Sequence, residues 1–315
     1  MKILLIIIGL LTGLAVVVEI GLRLILGLGN PPLYIADQEI GYLLAPNQQV
    51  RRMGNRIEIN QYSMRSENIA ANKANSARRI LLLGDSIVNG AWWTDQQETL
   101  SALLATQLQA NLGDRTIEVL NASANSWGPR NELAYLQRFG LFDAEVIILV
   151  INTDDLFATA PTSLQVGRER NYPDKAPALA LIELYQHYLA KPQPIPQLEK
   201  VKQEGGDRVG ANLEAIKEIK AIADGANIKL ILAMTPLLRE FQSDGSRDYE
   251  LKARKRLQEF AAAENLVYLD FLSILADFPQ PGFLYRDHIH PSPQGNRLVS
   301  ETLYKSLQTE LKFIE

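Results

Sequence analysis

Ile80-Leu81-Leu82-Leu83-Gly84-Asp85-Ser86-Ile87-Val88-Asn89-Gly90 begins as a short apolar run and breaks at Gly-Asp-Ser. The run is too short for a globular helix and is bounded by Arg79 and Gly84, so it reads as a buried parallel strand ending in a turn. Open α/β sheets bind ligands just beyond the carboxyl ends of their strands, and Ser86 falls there. That position makes Ser86 a candidate nucleophile. Gly-Asp-Ser alone is also ordinary turn chemistry, so its weight depends on residues elsewhere that can serve a serine.

About two hundred residues later the chain reads Asp287-His288-Ile289-His290-Pro291. Serine acyl chemistry needs a base to take the hydroxyl proton and a carboxylate to hold that imidazole in the right tautomer. Asp287 and His290 supply both within one turn-like segment: the carboxylate can reach Nδ1 and leave Nε2 for the serine. Together the two stretches resemble the SGNH (GDSL-type) serine hydrolases, whose first block carries the serine and whose last block is Asp-x-x-His. The similarity runs in order and spacing from about Arg79 to Leu311. It implies an esterase with Ser86, Asp287 and His290 as its triad.

From Arg79 onward strand and helix patterns alternate, which argues for a parallel sheet covered on both faces. Strands are expected at Ile80–Leu83, Ile117–Leu120, Val146–Ile151, Ile228–Ala233 and Val267–Leu269. Helices fit Gln96–Asn111, Asn131–Phe139, Leu179–Leu189, Ala211–Ala223, Tyr249–Ala263 and Gln294–Leu311. The fold class is therefore α/β, a flavodoxin-like three-layer sandwich with a five-stranded parallel sheet, as in SGNH hydrolases. Residues 78–315 form this hydrolase-like domain, long enough for one well-buried core with insertions. The long stretch between the third and fourth strands contains Lys191-Pro192-Gln193-Pro194-Ile195-Pro196 and Gly205-Gly206-Asp207. It exceeds an ordinary crossover and reads either as a lid beside the active face or as a surface excursion.

Ahead of the domain, Ile3 to Val18 is apolar apart from Thr12, and the run resumes past Glu19 and Arg23 to Leu28. Those two charges sit four apart in the order that favours a helical ion pair, and side chains near a helix end can snorkel to the membrane interface. A cleaved signal peptide is the rival reading, but no Ala-x-Ala-like site follows. Residues 1–28 are expected to be an uncleaved transmembrane anchor that makes the chain a single-pass protein of the cell membrane. The catalytic domain is placed on the extracytoplasmic side, because large domains translocate largely regardless of charge.

Residues 29–77 are polar and turn-rich, and read as a membrane-to-domain arm. Gly41-Tyr42, Pro46-Asn47, Ile59-Asn60 and Met64-Arg65 look like the leader that precedes the Gly-Asp-Ser strand in membrane-attached members of the family. Arg51, Arg52 and Arg56 read as a solvated basic cluster or as a contact for anionic lipid.

Family resemblance further implies three oxyanion donors: the serine backbone N–H, a second-block glycine N–H and a third-block asparagine. The second block is Asn121-Ala122-Ser123-Ala124-Asn125-Ser126-Trp127-Gly128, which puts Ser126 at the glycine, with Gly128 as the alternative. A backbone donor survives that exchange if the turn tolerates a Cβ. The third block is Val150-Ile151-Asn152-Thr153-Asp154-Asp155-Leu156, where Asp154 replaces the asparagine and Asn152 the glycine. An ionised carboxylate cannot donate. Either Asn152 turns in to donate or Asp154 is held protonated.

The remaining candidates have plain readings. His187 fits a helix surface, and Lys252, Arg254, Lys255 and Arg256 fit the wet face of a helix. Trp92, Trp93 and Trp127 fit a pocket wall or the core. His288 beside Asp287 and His290 suggests zinc only faintly, since no further ligands cluster in sequence. No cofactor and no metal site is expected. A net charge of −4 and no basic domain give nucleic-acid binding no support. The partners expected are an acyl ester, with carbohydrate among its candidate carriers, and the membrane. The lead reading is a serine esterase for acetyl or short-chain esters. Its alternatives are an O-acyltransferase using the same triad on envelope carbohydrate, and a catalytically weak binding protein that keeps the fold.

Overall fold

Apolar runs bounded by turns become strands, and the amphipathic stretches between them become helices. The computed structural model describes residues 1–110, 115–242, 245–276 and 278–309. Helix α1 is Lys2–Leu26, followed by two antiparallel hairpins, β1 (Tyr34–Ala36) with β2 (Tyr42–Leu44) and β3 (Gln48–Arg52) with β4 (Asn55–Ile59). The chain continues through β5 (Ala77–Gly84), α2 (Ser86–Asn89), α3 (Leu100–Gln109), β6 (Thr116–Ser123), α4 (Pro129–Phe139) and β7 (Val146–Asn152). Next come α5 (Ala180–Tyr188), α6 (Pro196–Lys202), α7 (Arg208–Gly225), β8 (Lys229–Thr235) and α8 (Asp248–Ala263). It ends with β9 (Val267–Asp270), α9 (Phe271–Ile274) and α10 (Pro293–Thr309). The expected ends of two helices, at Asn111 and at Leu311, lie outside the described residues.

The five strands β6-β5-β7-β8-β9, in that spatial order, form one parallel sheet. Strand alternation divides the apolar run of β5 between two cores. Leu81 and Leu83 face the layer containing α4, α7 and α8, while Ile80 and Leu82 face the layer containing α3 and α10. Burial on both faces explains why β5 and β7 read as continuous apolar runs. The chain reverses its winding at β5, so Ser86 leaves the sheet at the topological switch point, where α/β folds open a crevice.

The segment expected to be an arm is packed into the larger core. Tyr34, Ile40, Tyr42, Leu44, Ile57, Ile59 and Met64 are buried in the same cluster as Leu81 and Leu83. Arg65 is buried as well and donates to the carbonyls of Asn89, Ala91 and Thr94, so it fixes the loop that follows the nucleophile turn. The basic cluster is likewise divided: Arg52 is buried against Glu183, Arg56 pairs with Asp95, and Arg51 stays exposed.

Helix α1 carries no buried residue and is long and apolar enough to cross a membrane, with a mean hydropathy of 2.8. In helix α8 the expected wet face is interrupted. Arg254 turns inward, where it meets Asp270 at 2.6 Å, Glu240 at 3.2 Å and the Thr153 hydroxyl at 3.0 Å. That buried charge is paired on several sides, as a guanidinium out of water must be.

Candidate active site

Gly84 ends β5 because nothing larger fits. A Cβ there would lie 2.4 Å from Val88 Cγ2 and 2.7 Å from the Val150 carbonyl oxygen. Asp85 then caps α2, its Oδ1 accepting from the Ile87 N–H at 2.8 Å, which places Ser86 in the first turn of that helix. The Asp287 turn comes from the far end of the domain to meet it. His290 Nε2 lies 2.9 Å from Ser86 Oγ, and His290 Nδ1 lies 2.8 Å from Asp287 Oδ2. Asp287 Oδ1 accepts from the backbone N–H groups of Ile289 (3.0 Å) and His290 (2.9 Å), so the turn holds the carboxylate and the ring in one geometry.

Burial alone would raise the Asp287 carboxyl, but these two N–H groups and the imidazole outweigh it and hold the group below the usual carboxylate range. The ring of Trp93 packs edge-on to His290 at a centroid distance of 4.7 Å, and Arg286 sits 5.2 Å from the Trp93 ring. His288 turns away, with 81% of its side chain exposed and its Nδ1 3.9 Å from Asp287. Among the described residues no group of three or more His, Asp or Glu side chains is arranged to hold a metal.

Of the two second-block positions, Ser126 has φ 58°, the left-handed conformation for which glycine is the usual residue. Its hydroxyl accepts from Tyr172 Oη at 2.9 Å. Gly128 is extended, and its N–H donates to Asn131 Oδ1 at 3.1 Å. Asn152 sits at the end of β7 and donates through Nδ2 to Asp85 Oδ2 (2.9 Å) and Asp155 Oδ2 (2.8 Å). Its Oδ1 accepts from the Asp154 N–H at 2.7 Å, which settles the amide's orientation. Asp154 lies at the cavity wall and keeps solvent contact. Desolvation is nonetheless the main cause raising its carboxyl, with the Glu250 charge adding to it and Arg239 opposing.

Beneath Ser86 lie three carboxyls that sequence reasoning did not single out as a group. Asp85, Asp155 and Glu132 are all buried. Burial raises each of them; Asp155 is raised further by Asp85 and Glu132, and Glu132 by Asp85. Neither Glu132 oxygen has a hydrogen-bond partner among the described residues. An isolated glutamate in an amphipathic helix gives no sequence signal of this kind.

A cavity of about 670 Å³ opens over these groups. Its wall includes Ser86, Ser126, Asn152, Asp154 and His290, together with Trp92 and Trp93; Trp127 belongs to the core. Phe157, Tyr172, Glu183, His187, Tyr188 and Leu198 bring the long insertion into the wall. His187, expected on a helix surface, is thus half-buried, and burial lowers its pKa, with Arg170 adding to the effect.

A family model described as "GDSL-like Lipase/Acylhydrolase family" matches residues 82–298. No curated protein matches the chain. Among solved structures, an acetyl xylan esterase is similar over 73% of this chain and 99% of its own, at 13% identity and a TM-score of 0.50. An acetylxylan esterase from Geobacillus stearothermophilus shares 16% identity over 73% of this chain and 94% of its own, with a TM-score of 0.48. A lipase/acylhydrolase from Enterococcus faecalis shares 18% identity over 74% and 96%, with a TM-score of 0.45.

Proposed function

Since the chain belongs to the GDSL-like lipase/acylhydrolase family, whose reaction is ester-bond hydrolysis, we propose that it is a serine esterase for acetyl or other short-chain esters, acting through an acyl-enzyme intermediate. The observation that carries this reading is the continuous hydrogen-bonded series from Asp287 through His290 to Ser86 at a cavity wall. Ser86 Oγ attacks the ester carbonyl carbon while His290 Nε2 takes its proton. The tetrahedral intermediate collapses by breaking the bond to the alcohol oxygen, and His290 returns the proton to that leaving group. Water then attacks the acyl-serine by the same route and releases the acid and free Ser86. Asp287 orients the ring and stabilises its cationic form.

Backbone N–H groups of Ser86 and Ser126 serve as oxyanion donors in this proposal. Support comes from Ser86 standing at the start of a helix and Ser126 adopting the glycine conformation. Asn152, whose amide is engaged by two carboxylates, acts by holding Asp85 and Asp155, and Asp154 is not a donor. A sugar hydroxyl replacing water in the second step needs the same groups, which makes a carbohydrate acceptor part of the assay.

Helix α1 is retained in the mature protein in this reading, with the catalytic domain outside the cytoplasmic membrane. Support comes from Glu19, which accepts the N–H groups of Ala180 and Leu181, and from Arg23, which donates to the Ala178 carbonyl. A segment discarded by cleavage would have no reason to cap a helix of the domain.

The test is labelling with an organophosphonate probe, followed by peptide mapping, on membranes carrying the full chain. Adduct on Ser86, none with Ser86→Ala, and turnover of acetyl and butyryl esters above palmitoyl esters, assayed with and without a carbohydrate acceptor, are expected. No adduct and no turnover of any ester would leave a binding protein.

A further inference from the structure

Helix α5 is bound to the membrane helix and turns an apolar face outward beside it. The Glu19 carboxylate occupies the α5 N-terminus, accepting from Ala180 at 2.8 Å and Leu181 at 3.0 Å, and Arg23 reaches the Ala178 carbonyl at 2.8 Å. Away from the buried Ala180 and Glu183, Ile182, Tyr185 and Leu189 follow one another at helical spacing and are exposed, as is Leu179 at the N-cap. The β3–β4 turn joins the same edge: the Met53 N–H donates to the Leu26 carbonyl at 3.0 Å, and the Met53 side chain is exposed.

Depth along α1 locates this edge. At 1.5 Å per residue α1 is about 37 Å long, more than the ~30 Å hydrocarbon layer, and Glu19 stands about 26 Å along the axis from Lys2. Glu19 is the first charge after Lys2. The α5 N-terminus is therefore held at the boundary between hydrocarbon and headgroups on the far side from Lys2. Tyrosine and leucine on a short amphipathic helix suit that layer. Helix α5 is also a cavity wall, since Glu183, His187 and Tyr188 line the space over Ser86, as do Leu28 and Pro31 from the segment that leaves α1 and Met53 from the β3–β4 turn.

We propose that α5 and the β3–β4 turn lie in the interfacial layer of the membrane that α1 enters, and that the cavity receives its ester from that layer. The substrate class is then a short-chain ester on an amphiphilic alcohol whose apolar part stays in the bilayer. This inference rests on the esterase reading for the substrate, but not for the position of α5.

The absence of cysteine allows both halves to be tested on the full chain in vesicles of phosphatidylethanolamine and phosphatidylglycerol. Single Ile182→Cys, Tyr185→Cys and Leu189→Cys variants carry a nitroxide, and its collision rates with oxygen and with an aqueous nickel chelate are compared with labels at Leu24 and Lys217. Labels on α5 should match Leu24 in excluding nickel; labels that match Lys217 overturn the placement. The triple variant Ile182→Ser, Tyr185→Ser, Leu189→Ser removes the apolar face without touching a wall residue. It should keep its rate on glyceryl triacetate within twofold and lose at least tenfold on a dialkylglycerol bearing one acetyl ester in the vesicles. Equal rates of the variant and the unaltered chain on the vesicle ester overturn delivery from the bilayer. Failure of the unaltered chain on both esters instead overturns the esterase reading and with it the substrate class, while the nitroxide result stands by itself.

Discussion

The side-chain amide of Asn152 lies 2.9 Å from Oδ2 of Asp85, the residue that immediately precedes Ser86. Its second N–H goes to Asp155 and its oxygen accepts from the Asp154 backbone N–H, so both of its side-chain donors are engaged by carboxylates. Asn152→Ala would leave Asp85 and Asp155 buried without their shared donor, at a cost of about 1–3 kcal/mol in stability. Loss of the restraint on Asp85 should also reduce kcat. Asp154→Asn should change kcat less than threefold, because Asp154 approaches Asn152 through its backbone and not its side chain. A gain near a hundredfold, the size expected on restoring a missing oxyanion donor, would show that Asp154 occupies the hole after all.

Triad variants should separate by role. Ser86→Ala and His290→Ala should each lower kcat by about a million-fold and Asp287→Asn by about ten-thousand-fold, since loss of the orienting group leaves a nucleophile and base in place. Asp287 has its native pKa below the unfolded value of about 3.9. The stability it contributes is therefore complete above that value and is lost as pH falls through the lower native pKa. Denaturant unfolding between about pH 2 and 5 should show this acid loss in the unaltered chain and a shallower one in Asp287→Asn. His288→Ala should retain most activity, given its outward ring.

Whether an element was legible in the sequence depended on how its burial is distributed. Strands β5 and β7 are buried on both faces and leave uninterrupted apolar runs, and the Asp287 and His290 pairing is local enough to read from spacing. The strands of hairpins β1–β2 and β3–β4 are only three to five residues long, and those of the second mix Gln, Arg, Asn and Glu with a few apolar residues. Such patterns look like a linker until the partner surface is known. Glu19 and Arg23 were readable as an ion pair, which they form at 2.6 Å, but the carboxylate's second use at the start of α5 joins residues 161 positions apart. The same limit hid the inward turn of Arg254, since Lys252, Lys255 and Arg256 around it are charged and exposed.

Burial of the leading segment fixes where the soluble domain begins. A chain starting at Gly27 keeps both hairpins and Arg65, and should be soluble and cooperatively folded. One starting at Ser76 removes Tyr42, Leu44, Ile59 and Met64 from the core and Arg65 from the carbonyls after Ser86. Each large apolar side chain withdrawn from a core typically costs about 2–5 kcal/mol, so the four together cost about as much as the ~5–15 kcal/mol stability of a whole domain. Near-ultraviolet circular dichroism should show a native signal for the first chain and none for the second. An equally folded chain from Ser76 would mean that the hairpins only cover the sheet.

Glu132 provides a test of the carboxyl cluster that does not depend on catalysis. Its side chain is fully buried in α4, without a hydrogen-bond partner among the described residues, and faces the negative potential of Asp85 and Asp155. Burial first, and Asp85 second, push its pKa well above the ordinary glutamate value of about 4.3, so the native state holds this proton after the unfolded chain has released it. With a raised native pKa, the contribution to stability is complete below the unfolded value and is lost as pH rises toward the native one. Over that window one retained proton makes stability fall by up to about 1.4 kcal/mol per pH unit. Glu132→Gln keeps the shape and removes the proton exchange. Its stability relative to the unaltered protein should therefore improve steadily as pH rises above about 4.3 and level off once the native glutamate ionises. Asp85 and Asp155 share the field, so once the native glutamate ionises the remaining carboxyls should retain protons less firmly in the variant than in the unaltered protein, and the curve should bend rather than break. Urea unfolding of the chain from Gly27 at pH 4.5, 6 and 7.5 measures this directly. Parallel stability curves for the two proteins would mean that Glu132 is solvated or paired and that its proton is not held by the fold.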